Sequence, residues 1–87
     1  MLKFKSGMLF SNGHVSYAYV MLKGGKTARI KKDKINITHE GAGLKRCAII
    51  TIETEIELEE IVKMQLMDYS GDSVFNYYAG DNYKIVE

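Results

Sequence analysis

The sequence predicts an α+β domain: an antiparallel β-meander with tight hairpins at 12–13 and 24–25, one amphipathic helix over about 55–69 laid on the sheet, and a C-terminal β-hairpin. Three observations predict it. Asn12-Gly13 and Gly24-Gly25 are dipeptides suited to two-residue hairpin loops, because a type I′ turn needs positive φ at both central residues. The stretches around them alternate apolar and polar residues, as half-buried strands do. A helix-start signal at Thr54 is then followed by apolar residues at helical spacing.

Taken in order, strands are expected at 2–10, 14–22 and 26–32. Two-residue loops pair Phe10 with Val15, Met8 with Tyr17, Ser6 with Tyr19 and Phe4 with Met21 across the first turn. Across the second they pair Met21 with Ala28, Tyr19 with Ile30 and Tyr17 with Lys32. Side chains alternate along a strand, so these pairs form one mostly apolar, core-facing side. Lys3, Lys5, Arg29 and Lys31 fall on the other. Ile35 to Thr38 reads as a short strand, Gly41 and Gly43 mark a turn, and Leu44 to Glu53 is apolar on both sides, the mark of an interior strand.

The helix rests on Thr54 and Glu57, spaced as a capping box, on acidic residues in the first turns, and on a stripe of Leu58, Ile61, Val62, Leu66 and Tyr69. Gly71 is placed to stop it. Within this segment Val62 to Leu66 also alternates as a strand does. Val74 to Tyr78 and Tyr83 to Val86 are expected to form the last hairpin.

Eighty-seven residues suffice for a single domain spanning 1–87. Hydrophobic residues make up 46% of the chain, enough for a packed core. No apolar run is long enough to cross a bilayer, the N-terminus lacks the apolar segment of a signal peptide, and Cys47 is a lone cysteine. These features predict a cytoplasmic protein without a membrane partner. The near-neutral total conceals a division: residues 1–46 carry a formal charge of +8 and residues 47–87 carry −7. Such halves could steer a partner, pair within the fold, or mate between copies in a homo-oligomer.

No catalytic constellation is visible. Gly25-Lys26-Thr27 matches the end of a phosphate-binding loop, but Val20 stands where the leading glycine belongs and no helix follows. His14, His39 and Cys47 are not at zinc-ligand spacing. Neither enzyme activity, a metal nor a cofactor is expected.

Two surfaces stand out as candidate partner sites. The basic one comprises Lys23, Lys26, Arg29, Lys31, Lys32 and Lys34, extended by Lys3 and Lys5. In the expected register Lys23 faces Lys26, a like-charge pair that an anionic partner would relieve. That register also puts the tyrosines on the opposite side, leaving the basic side without platforms for stacking bases. The second surface is the acidic, Met-bearing helix face of Glu57, Glu60, Met64 and Met67, since flexible Met beside carboxylates suits a protein contact. The function expected is that of a small non-enzymatic protein docking on a macromolecule. With no Pro or Trp and abundant Lys, Ile and Asn, the composition fits an AT-rich genome, and hence an inhibitor or modulator of a host protein carried by a phage or mobile element. The alternative is nucleic-acid binding through the basic hairpin 23–34 and its sheet face.

Overall fold

The computed structural model describes residues 1–86, and among them the expected helix is absent. The chain forms seven strands in two antiparallel sheets. Strands β1 (Leu2–Ser6), β5 (Cys47–Ile52) and β4 (Ile35–Glu40) make one sheet in the order β1-β5-β4. Strands β3 (Thr27–Lys31), β2 (Tyr17–Leu22), β6 (Ile61–Met67) and β7 (Ser73–Tyr78) make the other, in the order β3-β2-β6-β7. Single 3-10 turns occupy several of the connections.

The helix fails at its own start signal. The Thr54 hydroxyl accepts the Ile56 amide only two residues on, at 3.2 Å, closing a local turn rather than a capping box. Glu57 and Glu60 instead serve one 3-10 turn at Leu58–Glu60, where the Glu57 amide donates to the Glu60 carboxylate at 3.2 Å. From Ile61 the alternating pattern prevails. Met64 and Leu66 are buried while Lys63, Gln65 and Met67 are half-buried on the other side. β6 pairs with β2 on one flank and β7 on the other, so a helix here would strand the backbone groups of both neighbours.

Both terminal hairpins are also replaced. Asn12–His14 is a 3-10 turn, and β1 pairs not with β2 but with β5, Phe4 opposite Ile50. β7 pairs with β6, while Asn82–Lys84 is a 3-10 turn whose sequel, Ile85, bridges to Phe4. The middle hairpin forms with a different loop. The Leu22 amide donates to the Lys26 carbonyl at 2.7 Å, so Lys23, Gly24 and Gly25 make a three-residue loop. The Gly25 amide closes a turn on the Leu22 carbonyl, and Gly24 has φ +86°, the positive value that the third position of a type II turn requires. Tyr17 now faces Lys31 and Tyr19 faces Arg29, one residue away from the expected register.

One core lies between the sheets. Phe4, Ile50 and Ile52 fill it from one side and Val20, Ile61, Met64 and Leu66 from the other, all essentially without solvent contact. Each such side chain contributes roughly 1.5–3 kcal/mol gross on burial. The Phe4 ring packs 5.9 Å from Phe75 and 4.9 Å from Tyr77, joining β1 to β7. Burial, with a further push from Asp81, raises the Tyr77 hydroxyl above its ordinary pKa.

Three of the four sheet edges are closed by the chain itself. The β4 edge is occupied by Asn12, whose side-chain oxygen accepts the Ile37 amide at 2.8 Å and whose nitrogen donates to the Ile37 carbonyl at 3.2 Å. His39 Nε2 donates to the Phe10 carbonyl at 2.9 Å beside it. At the β1 edge the Val86 amide donates to the Lys3 carbonyl at 3.1 Å. At the β7 edge Lys84 donates to the Asn76 carbonyl and the Tyr78 amide donates to Asp81 at 3.1 Å, with Lys84 and Asp81 paired at 3.3 Å. Only β3 is left open among the described residues.

Candidate nucleic-acid interface

The one-residue change in the β2–β3 register decides what the outer face of the four-stranded sheet carries. A slip of one residue exchanges the two faces of a strand. Ala18 and Val20, not the tyrosines, therefore point into the core with Ile30. Tyr17 and Tyr19 point outward with Arg29 and Lys31, and the β6 partners of these tyrosines are Met67 and Gln65. Lys63 stands opposite Met21 on one side and Tyr78 on the other, and Gln65 opposite Asn76. The outer face is thus a surface of tyrosine, cation and amide residues about 14 Å across its four strands.

The cations and rings are already in register. The Arg29 guanidinium sits 4.6 Å from the centre of the Tyr17 ring and the Lys63 ammonium 5.9 Å from that of Tyr19. At the corner of the sheet Lys32 lies 5.2 Å from the Tyr69 ring and donates to its hydroxyl at 2.8 Å, holding a ring that is 67% exposed. The Arg29 and Lys63 contacts are each worth about 0.5–1 kcal/mol at an exposed site, enough to bias side chains that would otherwise wander. Gln65 Nε2 donates to Asn76 Oδ1 at 2.9 Å, which leaves amide donors and an acceptor free in the middle of the face. Among the described residues no carboxylate lies on this face, and the ion pair formed is Lys84–Asp81, at the β7 edge. Arg29, Lys31 and Lys63 form no ion pair among the described residues.

The structure divides the expected basic site. Arg29 and Lys31 are on this face and Lys32 at its corner. Lys23 lies in the hairpin loop, where its amide donates to the Glu60 carbonyl at 2.9 Å, and Lys26 faces Leu22 rather than Lys23. Lys34 ends the turn into β4. Lys3 and Lys5 sit on the outer face of the other sheet, opposite Thr51 and Ile49, and do not extend the patch. Lys63 and Tyr78 were missed, because only the pairing of β6 with β2 and β7 brings them in.

The acidic and Met-bearing surface does not form. Met64 is fully buried in the core, Met67 is half-buried on the tyrosine face, and Glu57 and Glu60 are engaged with each other in the 3-10 turn. The division of charge along the chain does not become a division of faces either, since β2 from the basic half lies beside β6 from the acidic half.

Ser11 Oγ approaches His14 Nδ1 at 3.3 Å, but that nitrogen also accepts the Ser11 amide at 3.1 Å. The nearby Asp68 carboxylate is committed to the β6–β7 turn. It accepts the Ser70 hydroxyl at 2.8 Å and the Ser70 and Asp72 amides at 2.9 Å, and these bonds, the hydroxyl's foremost, hold its pKa below the ordinary 3.8. No cluster of three metal-ligating side chains occurs among the described residues. No helix among them is long and apolar enough to cross a membrane.

Comparison with protein-family models, curated proteins and solved structures finds no match.

Proposed function

We propose that this protein binds single-stranded nucleic acid across the outer face of the β3-β2-β6-β7 sheet. The observation that carries the reading is the interleaving of Tyr17, Tyr19 and Tyr78 with Arg29, Lys31 and Lys63 on a face without carboxylates. Cations track a phosphate backbone, and rings offer sequence-tolerant platforms for unstacked bases. Tyr17 and Tyr19 are two residues apart on one strand, hence about 6.7 Å, so each can take its own base. A duplex hides its base faces and leaves the rings nothing to stack on.

The test is fluorescence anisotropy with labelled single-stranded DNA and RNA of about 12 nucleotides, and with the matching duplex, at low salt. Single strands are expected to bind better than the duplex. Tyr19→Ala, checked for folding by thermal melt, is expected to weaken single-strand binding by about 1–3 kcal/mol, roughly 5- to 150-fold. Absence of single-strand binding, or a Tyr19→Ala variant as tight as the parent, refutes the proposal. The reading would then return to a protein partner, as for a docking inhibitor or modulator, and affinity capture from a host lysate would be the next step.

A further inference from the structure

We propose that the outer edge of β3 takes up an acidic, extended segment of a partner protein as a fifth strand of the sheet. Every other edge is closed by specific groups: Asn12 and Phe10 on β4, Val86 on β1, Lys84 and Asp81 on β7. Among the described residues β3 has only β2 beside it. The Leu22–Lys26 bond sets the alternation of the ladder, so Ala28 and Ile30 bond to β2 while the amides of Thr27, Arg29 and Lys31 and the carbonyls of Thr27 and Arg29 point away from the sheet, the Lys31 carbonyl opening the 3-10 turn Lys32–Lys34. Three donors and two acceptors are thus presented in a row. Strand addition uses such a row for affinity and the flanking side chains for selection.

Charge selects the occupant. Pairing of β3 with a second copy in full antiparallel overlap sets Arg29 opposite Arg29, and like charges directly opposite are destabilising. An incoming strand with carboxylates at those positions meets Arg29 and Lys31 on the outer face. Its alternate residues lie beside Ile30 and the half-buried Ala28 on the inner face, so the matching pattern alternates acidic with apolar residues. Arg29 leans inward over the Tyr17 ring of β2, away from the edge, and leaves the backbone row uncovered. The chain's own Glu53–Glu60 segment has the acid–apolar pattern and is tied at its ends to Lys34 and Lys23, the residues flanking β3. It forms no ladder with β3, which stays open.

The experiment is amide hydrogen exchange by NMR on the whole chain, with and without a capped peptide of alternating Glu and Val. Thr27, Arg29 and Lys31 are expected to exchange at least about tenfold more slowly with the peptide. A Lys-Val peptide should leave them unchanged. Thr27→Pro, which removes one outward donor and keeps every cation, is expected to abolish the protection. Absence of protection by the Glu-Val peptide, equal protection by the Lys-Val peptide, or full protection in Thr27→Pro overturns the proposal. So does a peptide-free dimer in sedimentation that already protects these amides, since the edge then belongs to a second copy.

Discussion

Replacing Lys63 by Gln tests whether the tyrosine face, rather than the protein's cations at large, meets the phosphates. The outer face presents Arg29, Lys31 and Lys63, with Lys32 at its corner, so the proposed binding would neutralise three to four phosphates. For single strands log K falls with log salt at about −0.7 per phosphate contact, which gives a slope of about −2.1 to −2.8. A fourfold rise in salt, from about 50 to 200 mM, then weakens binding about 20- to 50-fold. Lys63→Gln removes one contact, makes the slope shallower by about 0.7, and cuts the loss over the same range to about 7- to 20-fold. Lys5→Gln, on the other sheet, is the control and should leave the slope unchanged. Lys63 sits on the Tyr19 side of β6 with no carboxylate partner, so its loss should not unfold the domain. The assay is anisotropy with a labelled oligonucleotide at four or more salt concentrations. A Lys63→Gln slope equal to the parent's, or a Lys5→Gln slope shifted as much, refutes the assignment of the face.

Stability measurements check the fold beneath it. Met64→Ala empties a fully buried site and is expected to cost about 2–5 kcal/mol in urea unfolding, whereas Met67→Ala should cost under about 1 kcal/mol; equal effects would return Met64 to the surface. Asn12→Ala leaves both polar groups of Ile37 without their partner and is expected to lower stability by about 1–3 kcal/mol, shifting the melting midpoint by some 4–8 °C per kcal/mol. Asp68 has a depressed pKa in the fold, so its contribution is present above the ordinary 3.8 and is lost as pH falls through the lower folded value. NMR titration of the Ser70 and Asp72 amides should show a midpoint below 3.8, absent in Asp68→Asn; a midpoint at or above 3.8 would mean the turn does not hold the carboxylate.

What the sequence made legible was local. Gly24-Gly25 marked a hairpin between two strands, and the stretches 35–38 and 44–53, read as strands from their apolar patterning, contain β4 (Ile35–Glu40) and β5 (Cys47–Ile52) in part or whole. The loop length was beyond turn chemistry, because two adjacent glycines serve a two-residue or a three-residue loop equally well. That ambiguity of one residue reversed the tyrosines and hid the candidate site. Residues 55–69 satisfied helix rules, yet β6 is flanked by two ladders whose partners lie about forty residues before it and ten after it, and ladder pairing overrode the local signal. Asn12 looked like a turn residue and is one, but its side chain works as a strand mimic for β4, a role without local signature. Val62–Leu66 held the true signal, the two-residue alternation that places Met64 and Leu66 inside.

The position of Phe4 bears on how the chain reaches this state. Its ring is sealed by Phe75 and Tyr77, its strand is paired on one side by Ile50 and bridged on the other by Ile85. None of these partners is within forty residues of it. During synthesis β1 therefore waits unpaired until β5 has emerged, and the Phe4 ring gains its aromatic partners only when β7 follows. Such long-range closure predicts refolding in the millisecond-to-second range. It also makes the β1 segment a stretch in need of a chaperone's cover before its partner β5 arrives.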